Sequence, residues 1–332
     1  MEERINRRRV LGWLAGSSVA AAIGAIVPNG KERALAQQDK AKGRLPDQPS
    51  KDAPSSTPAT LGRTKVAIAR YGTPEAMVDA VIGALGGMGA FVHKGDRVLI
   101  KPNIGWDRKP EFAANTNPAV VAELVKLCLQ AGAKEVKVFD RPCNDPRRSY
   151  KNSGIQEAAS AAGARVLQLN ESRVTRVDLK GEFLHQWEVF DEALKVDVRI
   201  NVPIAKHHGL AKVTLGMKNW MGCLGGDRSR LHQNIHTSIV DLAAWFKPQL
   251  TVLDAYRTMV SNGPTGGRLT DVKWTKTLCA SADPVAVDAF GASLFGLNAD
   301  LTHLMLAEKR GLGSRRLSDL VVQEMDLRTR GA

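Results

Sequence analysis

The chain has 332 residues, 43% apolar and 24% charged, an ordinary globular composition with room for one large or two medium hydrophobic cores. Lys and Arg exceed Asp and Glu by 13, so the surface field favours anionic partners. Only 5% of residues are aromatic and no zinc-finger or RNA-binding signature is present, which disfavours nucleic acid, and the cysteines (Cys128, Cys143, Cys223 and Cys279) form no C-x-x-C pair of the kind a zinc ribbon or ferredoxin-type cluster needs.

Residues 1–36 read as a twin-arginine signal peptide. Arg7-Arg8-Arg9-Val10-Leu11 precedes an uncharged stretch from Gly12 to Val27, and Ala34-Leu35-Ala36 supplies an A-x-A cleavage site. The expected location is periplasmic or otherwise exported, with the twin-arginine export machinery as a partner and contact with a membrane only through this segment. Residues 37–62, rich in Pro, Ser, Lys, Asp and Gln, are expected to be a disordered linker.

From Lys65 onward, short β-branched runs alternate with amphipathic segments, the pattern of an α/β fold with mostly parallel sheets and covering helices. Strands are expected at Lys65–Ala69, Arg97–Ile100, Glu135–Phe139 and Arg165–Leu169, and helices at Pro74–Leu85, from Asn117-Pro118 to about Ala131, and at Ile155–Ala162. Between Glu171 and Phe190 the residues alternate around Lys180-Gly181, which predicts a β-hairpin joining an N-terminal lobe (63–170) to a C-terminal lobe (171–330) across a cleft. The second segment then predicts strands at Val196–Val202, Leu250–Leu253, Thr275–Ala280 and near Val321. Its helices are expected at Ile235–Phe246, at Pro284–Leu294 capped by Asp283, and at Leu301–Lys309.

Ligands of open α/β sheets bind beyond the carboxyl ends of the strands. Those ends carry Lys101-Pro102-Asn103, Asp140-Arg141-Pro142, Lys206-His207-His208 and Asp254, a succession of cations, carboxylates and imidazoles on one edge. Between Lys206 and Asp227, glycines accompany Lys218 and Asn219, so backbone N–H groups and ammonium charge can meet a carboxylate or phosphate. A plain mobile loop is the alternative reading of that segment. His232 and His236 are spaced by four and, with His208, form a candidate metal site; they lack a nearby acidic ligand, so the cofactor stays unknown, with a divalent metal as one option. The glycine-rich stretch from Ser261 to Gly267, including Asn262, reads as a turn or a lid. No dinucleotide fingerprint, P-loop or nucleophile elbow is present.

The chain resembles the family catalogued as domain of unknown function 362. The resemblance spans about residues 65–322 and rests on Val98-Leu99-Ile100-Lys101-Pro102-Asn103, Thr116-Asn117-Pro118, the turn and strand from Ala131 to Val136, Lys206-His207-His208, Lys218-Asn219, Gly222-Cys223, Asn262-Gly263-Pro264 and the run from Asp283 to Asp288. It implies no particular reaction. Some members carry an added ferredoxin-like segment that this chain lacks, so no iron–sulfur role is implied. The expected two-lobed arrangement is also distantly similar to nickel-dependent lactate racemase, which implies a site between lobes where histidines and lysines meet an anionic 2-hydroxy acid.

Three functions compete on this reading. In an enzyme acting on a small anionic substrate, Lys101, Lys206 and Lys218 bind the anion, His208 or His232 moves protons, and Asp140 or Asp254 orients an imidazole, with Asn103, Asn219 and Asn262 lining the site. Lys206→Ala and His208→Ala should then abolish turnover at little cost to stability. The alternatives are a ligand- or metal-binding protein of the cell envelope, and an accessory to a redox complex using Cys143 or Cys223.

Overall fold

The computed structural model describes residues 65–328; the expected signal peptide and the expected linker lie outside them. Among the described residues, no helix is long and apolar enough to cross a membrane.

The first half of the described chain runs β1 (Lys65–Arg70), α1 (Pro74–Ala84), β2 (Arg97–Pro102), α2 (Pro118–Gln130), β3 (Glu135–Val138), α3 (Pro146–Asn152), α4 (Ile155–Ala161) and β4 (Arg165–Val166). The capping chemistry follows the sequence: Thr73 accepts from Ala76 N and Asn117 from Ala119 N, each with proline at the first helical position. The expected hairpin forms as β5 (Val174–Asp178) and β6 (Gln186–Phe190), with Lys180 in the left-handed region at φ 49°. The chain continues through α5 (Asp191–Leu194), β7 (Val198–Val202), β8 (Ile204–His208), β9 (Lys212–Thr214), α6 (Gly216–Asn219), α7 (Ile235–Phe246), β10 (Leu250–Met259), β11 (Val272–Ser281), α8 (Pro284–Ser293), α9 (Thr302–Lys309) and β12 (Val321–Asp326).

Ten of these strands share one mixed sheet, in the order β12-β1-β11-β10-β7-β2-β3-β4, with β8 pairing to β10 and β9 to β8. The pairs joining β10, β7, β2, β3 and β4 are parallel, whereas β11 runs antiparallel to both β1 and β10. Segments 63–170 and 171–330, expected as separate lobes, therefore interleave: β1 lies between β11 and β12, and β2 beside β7. The hairpin does not divide two sheets. Leu179, Leu184, Trp187 and Val189 instead pack it onto the apolar cluster around Trp220, Ile239 and Phe246.

Both faces of the sheet are covered, which is why its strands read as continuous apolar runs. In β2, Val98 and Ile100 face the cluster of α1, α2 and α4, while Leu99 faces the cluster of α6, α7 and α9. Trp220 stacks on Phe246 at 4.5 Å between ring centroids and is fully buried. Pro203 interrupts the sheet between β7 and β8, and β8 then carries Lys206 and His208 beyond the level at which β2 and β3 stop. That offset builds the wall of the candidate site.

Candidate functional site

At the carboxyl edge of β2 and β3, a cavity of about 290 Å³ is lined by residues of five separate segments, among them Asn103, Asp140, Lys206, Thr214, Lys218 and Arg228. Its floor is a charge pair. Lys101 Nζ lies 2.9 Å from Asp140 Oδ1 with both side chains buried, and the lysine also donates to Pro102 O at 2.7 Å. Asp140 accepts from Ile104 N at 2.6 Å and Arg141 N at 2.9 Å. Its two oxygens thus receive three donors, the satisfaction a buried carboxylate requires. Gly222 closes over this pair: a Cβ there would lie 1.7 Å from Asp140 Oδ1, so only glycine fits.

An amide chain links floor to wall. Asn219 donates to Lys101 O at 3.0 Å and to Asn201 Oδ1 at 2.9 Å, and accepts from Asn103 Nδ2 at 3.1 Å. Asn103 Oδ1 in turn accepts from Lys206 Nζ at 3.0 Å, and the same ammonium donates to Ala114 O at 2.6 Å. Burial, reinforced by the nearby Lys218 charge, pulls Lys206 down to about 7, and burial likewise pulls Lys218 down to about 8. Lys218 lines the cavity, and its ammonium has no hydrogen bond or ion pair to any described residue. Thr214 Oγ1, also lining the cavity, is buried without a hydrogen-bond partner.

His208 and His232 form the opposing rim, their rings stacked with centroids 6.4 Å apart. His208 Nδ1 accepts from Ala211 N at 3.1 Å, which leaves the proton of its neutral form on Nε2. His232 Nδ1 faces Arg228 O at 3.2 Å; a carbonyl only accepts, so Nδ1 carries the proton, and in the neutral form Nε2 is the acceptor. Burial, with the charge of Lys218 next in size, pulls His208 down to about 3 and holds it neutral.

The structure therefore brings Asn103, Asp140, Lys206, His208, Lys218, Asn219 and His232 to one cavity, with Lys101 directly beneath it. It does not bring Asp254, Asn262 or His236 there. Asp254 sits inside β10, which runs six residues beyond the expected end at Leu253, and accepts from Asn117 N at 2.7 Å and Tyr256 N at 3.0 Å. It anchors the start of α2 rather than orienting an imidazole. Asn262 donates to Asp271 at 2.7 Å, while its neighbour Pro264 reaches the cavity. His236 stands 3.3 Å from His303, Nδ1 to Nδ1, because α7 begins at Ile235 and His232 belongs to the preceding turn; the spacing of four does not put the two on one helical face. Among the described residues, no group of three or more His, Cys, Asp or Glu side chains is placed to hold a metal ion, so His208, His232 and His236 do not meet as a ligand set.

Two residues lining the cavity carry no sequence signal, and one behind it belongs to a motif that assigns it no role. Thr214 and Arg228 belong to no motif. Asp288, in α8, accepts from Gly216 N at 2.6 Å and Met217 N at 2.9 Å and so holds the start of the short helix that presents Lys218 and Asn219. Burial raises that carboxyl to about 7. Of the two loop cysteines, Cys143 is exposed and lines the cavity, whereas Cys223 is buried with its thiol pushed up to about 12 by burial.

Among solved structures, the chain shows a likeness to the lactate racemase apoprotein from Thermoanaerobacterium thermosaccharolyticum, with a TM-score of 0.47 and 10% identity, covering 69% of this chain and 56% of that one. The chain thus spans little more than half of the racemase. The thylakoid-associated protein sll1697 of Synechocystis sp. is 29% identical over 243 residues, 71% of this chain and 74% of its own length. A family model described as Domain of unknown function (DUF362) matches residues 98–293, more than half of the sequence, and the chain belongs to that family.

Proposed function

We propose that the cavity binds a small anion and that the protein is an enzyme that moves a proton on it. One observation carries this reading: Lys206 and Lys218 line a cavity where, among the described residues, the one lining carboxylate, Asp140, is already paired with Lys101. The cations at the wall are therefore uncompensated, and an anion there recovers the charge pairing that the protein itself withholds. Thr214 Oγ1 offers a further donor to the same ligand.

The two imidazoles supply complementary functions. His208 presents an N–H and His232 a free nitrogen, so one donates to the ligand while the other accepts its proton. His208 is held neutral by burial and by the neighbouring cations. A bound anion offsets that repulsion, so the basicity of the rim rises on binding and proton transfer is coupled to occupancy. Lys206 is buried and hydrogen-bonded, so truncating it to alanine costs stability as well as function; Lys206→Met keeps the volume and is the better probe.

Small carboxylic acids incubated with the protein in deuterated water should exchange a C–H proton, read by NMR. His232→Gln should abolish exchange while anion binding, read by calorimetry, persists. Binding without exchange on any acid tested would instead favour a ligand-binding protein of the cell envelope. The reading includes export, carried by Arg7-Arg8-Arg9 and the apolar stretch behind them; Arg8→Lys with Arg9→Lys should retain the protein in the cytoplasm if the twin-arginine route is used.

A further inference from the structure

We propose that Lys206 is an amine nucleophile that forms an imine with a small oxo-carboxylate, an aldehyde or ketone acid whose carboxylate pairs with Lys218. The proposal rests on the anion-binding reading above and gives that anion a second, electrophilic group.

The geometry of the amine is the main support. A neutral primary amine has two N–H donors and one lone pair. Lys206 Nζ already has two oxygen acceptors, Asn103 Oδ1 at 3.0 Å and Ala114 O at 2.6 Å. Both are held by other parts of the fold, Asn103 through Asn219 and Ala114 within the buried cluster around Met259. With both N–H groups so engaged, the remaining tetrahedral position holds the lone pair, and Lys206 lines the cavity. A lysine serving only as a counter-charge needs no such pair of acceptors within a cavity already carrying a second ammonium. Lys218, beside it and without an ion pair among the described residues, is free to take a carboxylate. Burial and that second cation also leave about half of Lys206 unprotonated near neutral pH, the state that addition requires.

In the step, the Lys206 lone pair forms the N–C bond to the carbonyl carbon and the carbonyl π pair moves to oxygen. That oxygen takes the proton that the nitrogen sheds on forming the bond, and the unpartnered Thr214 hydroxyl lies in the same cavity to hydrogen-bond it. A second proton, drawn from solvent, lets the oxygen leave as water as the nitrogen lone pair forms the C=N bond. No oxidant or reductant is consumed. The protonated imine keeps one N–H for one of the two oxygens that held the amine.

The test is reductive trapping with glyoxylate as probe. The full-length protein is incubated with glyoxylate and cyanoborohydride, digested, and its peptides mapped by mass spectrometry. One carboxymethyl adduct per chain on the Lys206 peptide, formed well before any other lysine reacts and suppressed at least about tenfold by oxalate, is the expected result. Lys206→Met should lose that adduct, and Lys218→Met should need far more glyoxylate to reach it. Because the native protein carries the primary readout, a variant that fails to fold does not spoil the test. Adducts scattered over surface lysines, with glyoxylate or oxalate binding still measurable by calorimetry, would overturn the imine and leave the anion site standing. Absence of both adduct and binding would overturn the two together.

Discussion

Two lysines of one site, Lys101 in the floor and Lys206 in the wall, show how the same side chain is put to opposite uses. Both are buried, and both stand at the carboxyl edge of parallel strands. Lys101 has a carboxylate at 2.9 Å, and that carboxylate has further donors, so the floor is electrically closed. Lys206 has only neutral oxygens and a neighbouring ammonium. What separates a structural from a functional lysine here is not burial but whether the charge is answered within the protein. A closed pair stabilises one geometry; an open one stores an unfavourable interaction that a ligand relieves.

The comparison can be broken most severely at the floor. Gly222→Ala drives a methyl group into Asp140, and Lys101→Met leaves that carboxylate buried without its cation; each should lower stability by about 3–5 kcal/mol in urea unfolding. Lys206→Met should cost less, about 1–3 kcal/mol, because it leaves only the Ala114 carbonyl and the Asn103 amide without a donor. It should nevertheless abolish ligand-dependent chemistry. If Lys101→Met proves the milder of the two, the distinction between floor and wall fails.

The wall can then be sharpened. Lys218→Met should not lower stability and should raise it in urea unfolding, because it removes a buried ammonium that no described residue pairs. The same substitution should weaken binding of a small carboxylate by about 10- to 100-fold, the worth of one charge-assisted hydrogen bond. The pH dependence of stability offers a further check. Lys206 titrates near 7 in the folded protein and near about 10.4 when unfolded, so between those values the unfolded state binds more protons and stability rises with pH. Asp288, raised to about 7 by burial, has the opposite sign: the folded state holds the extra proton between about 4 and 7, and its contribution falls as pH rises through that window. Unfolding measured across both windows should show the upper slope reduced in Lys206→Met and the lower slope unchanged.

How far the sequence discloses this site depends on the distance over which each residue finds its partner. Lys101, Asn103, Asp140 and Lys206 were legible because parallel strands deliver their carboxyl ends to one edge, a rule that needs only strand positions. Asp254 obeys the same rule and escapes the site, since β10 continues to Met259 and the carboxylate is taken by Asn117 N, 137 residues earlier in the chain. The histidine spacing misled for a local reason, the change from one turn type to another between His232 and Ile235. Thr214 and Arg228 lie in segments whose paths are set by packing, and nothing periodic marks them. The division into lobes at the hairpin likewise presumed that chain neighbours share a sheet, whereas β1 pairs with β11 and β12.

That last pairing also bears on how the molecule is made. The strand at Lys65–Arg70 finds its two neighbours at Val272–Ser281 and Val321–Asp326, and the ion pair between Arg70 and Glu324 spans 254 residues. During synthesis the early strand must wait, with Val66 and Ile68 uncovered, until nearly the whole described chain has emerged. Such long-range closure slows folding and prolongs exposure to aggregation. Assembly is thus governed by the pairing of β12, and truncation after α9 should leave a polypeptide that is synthesised in full amount yet recovered largely insoluble.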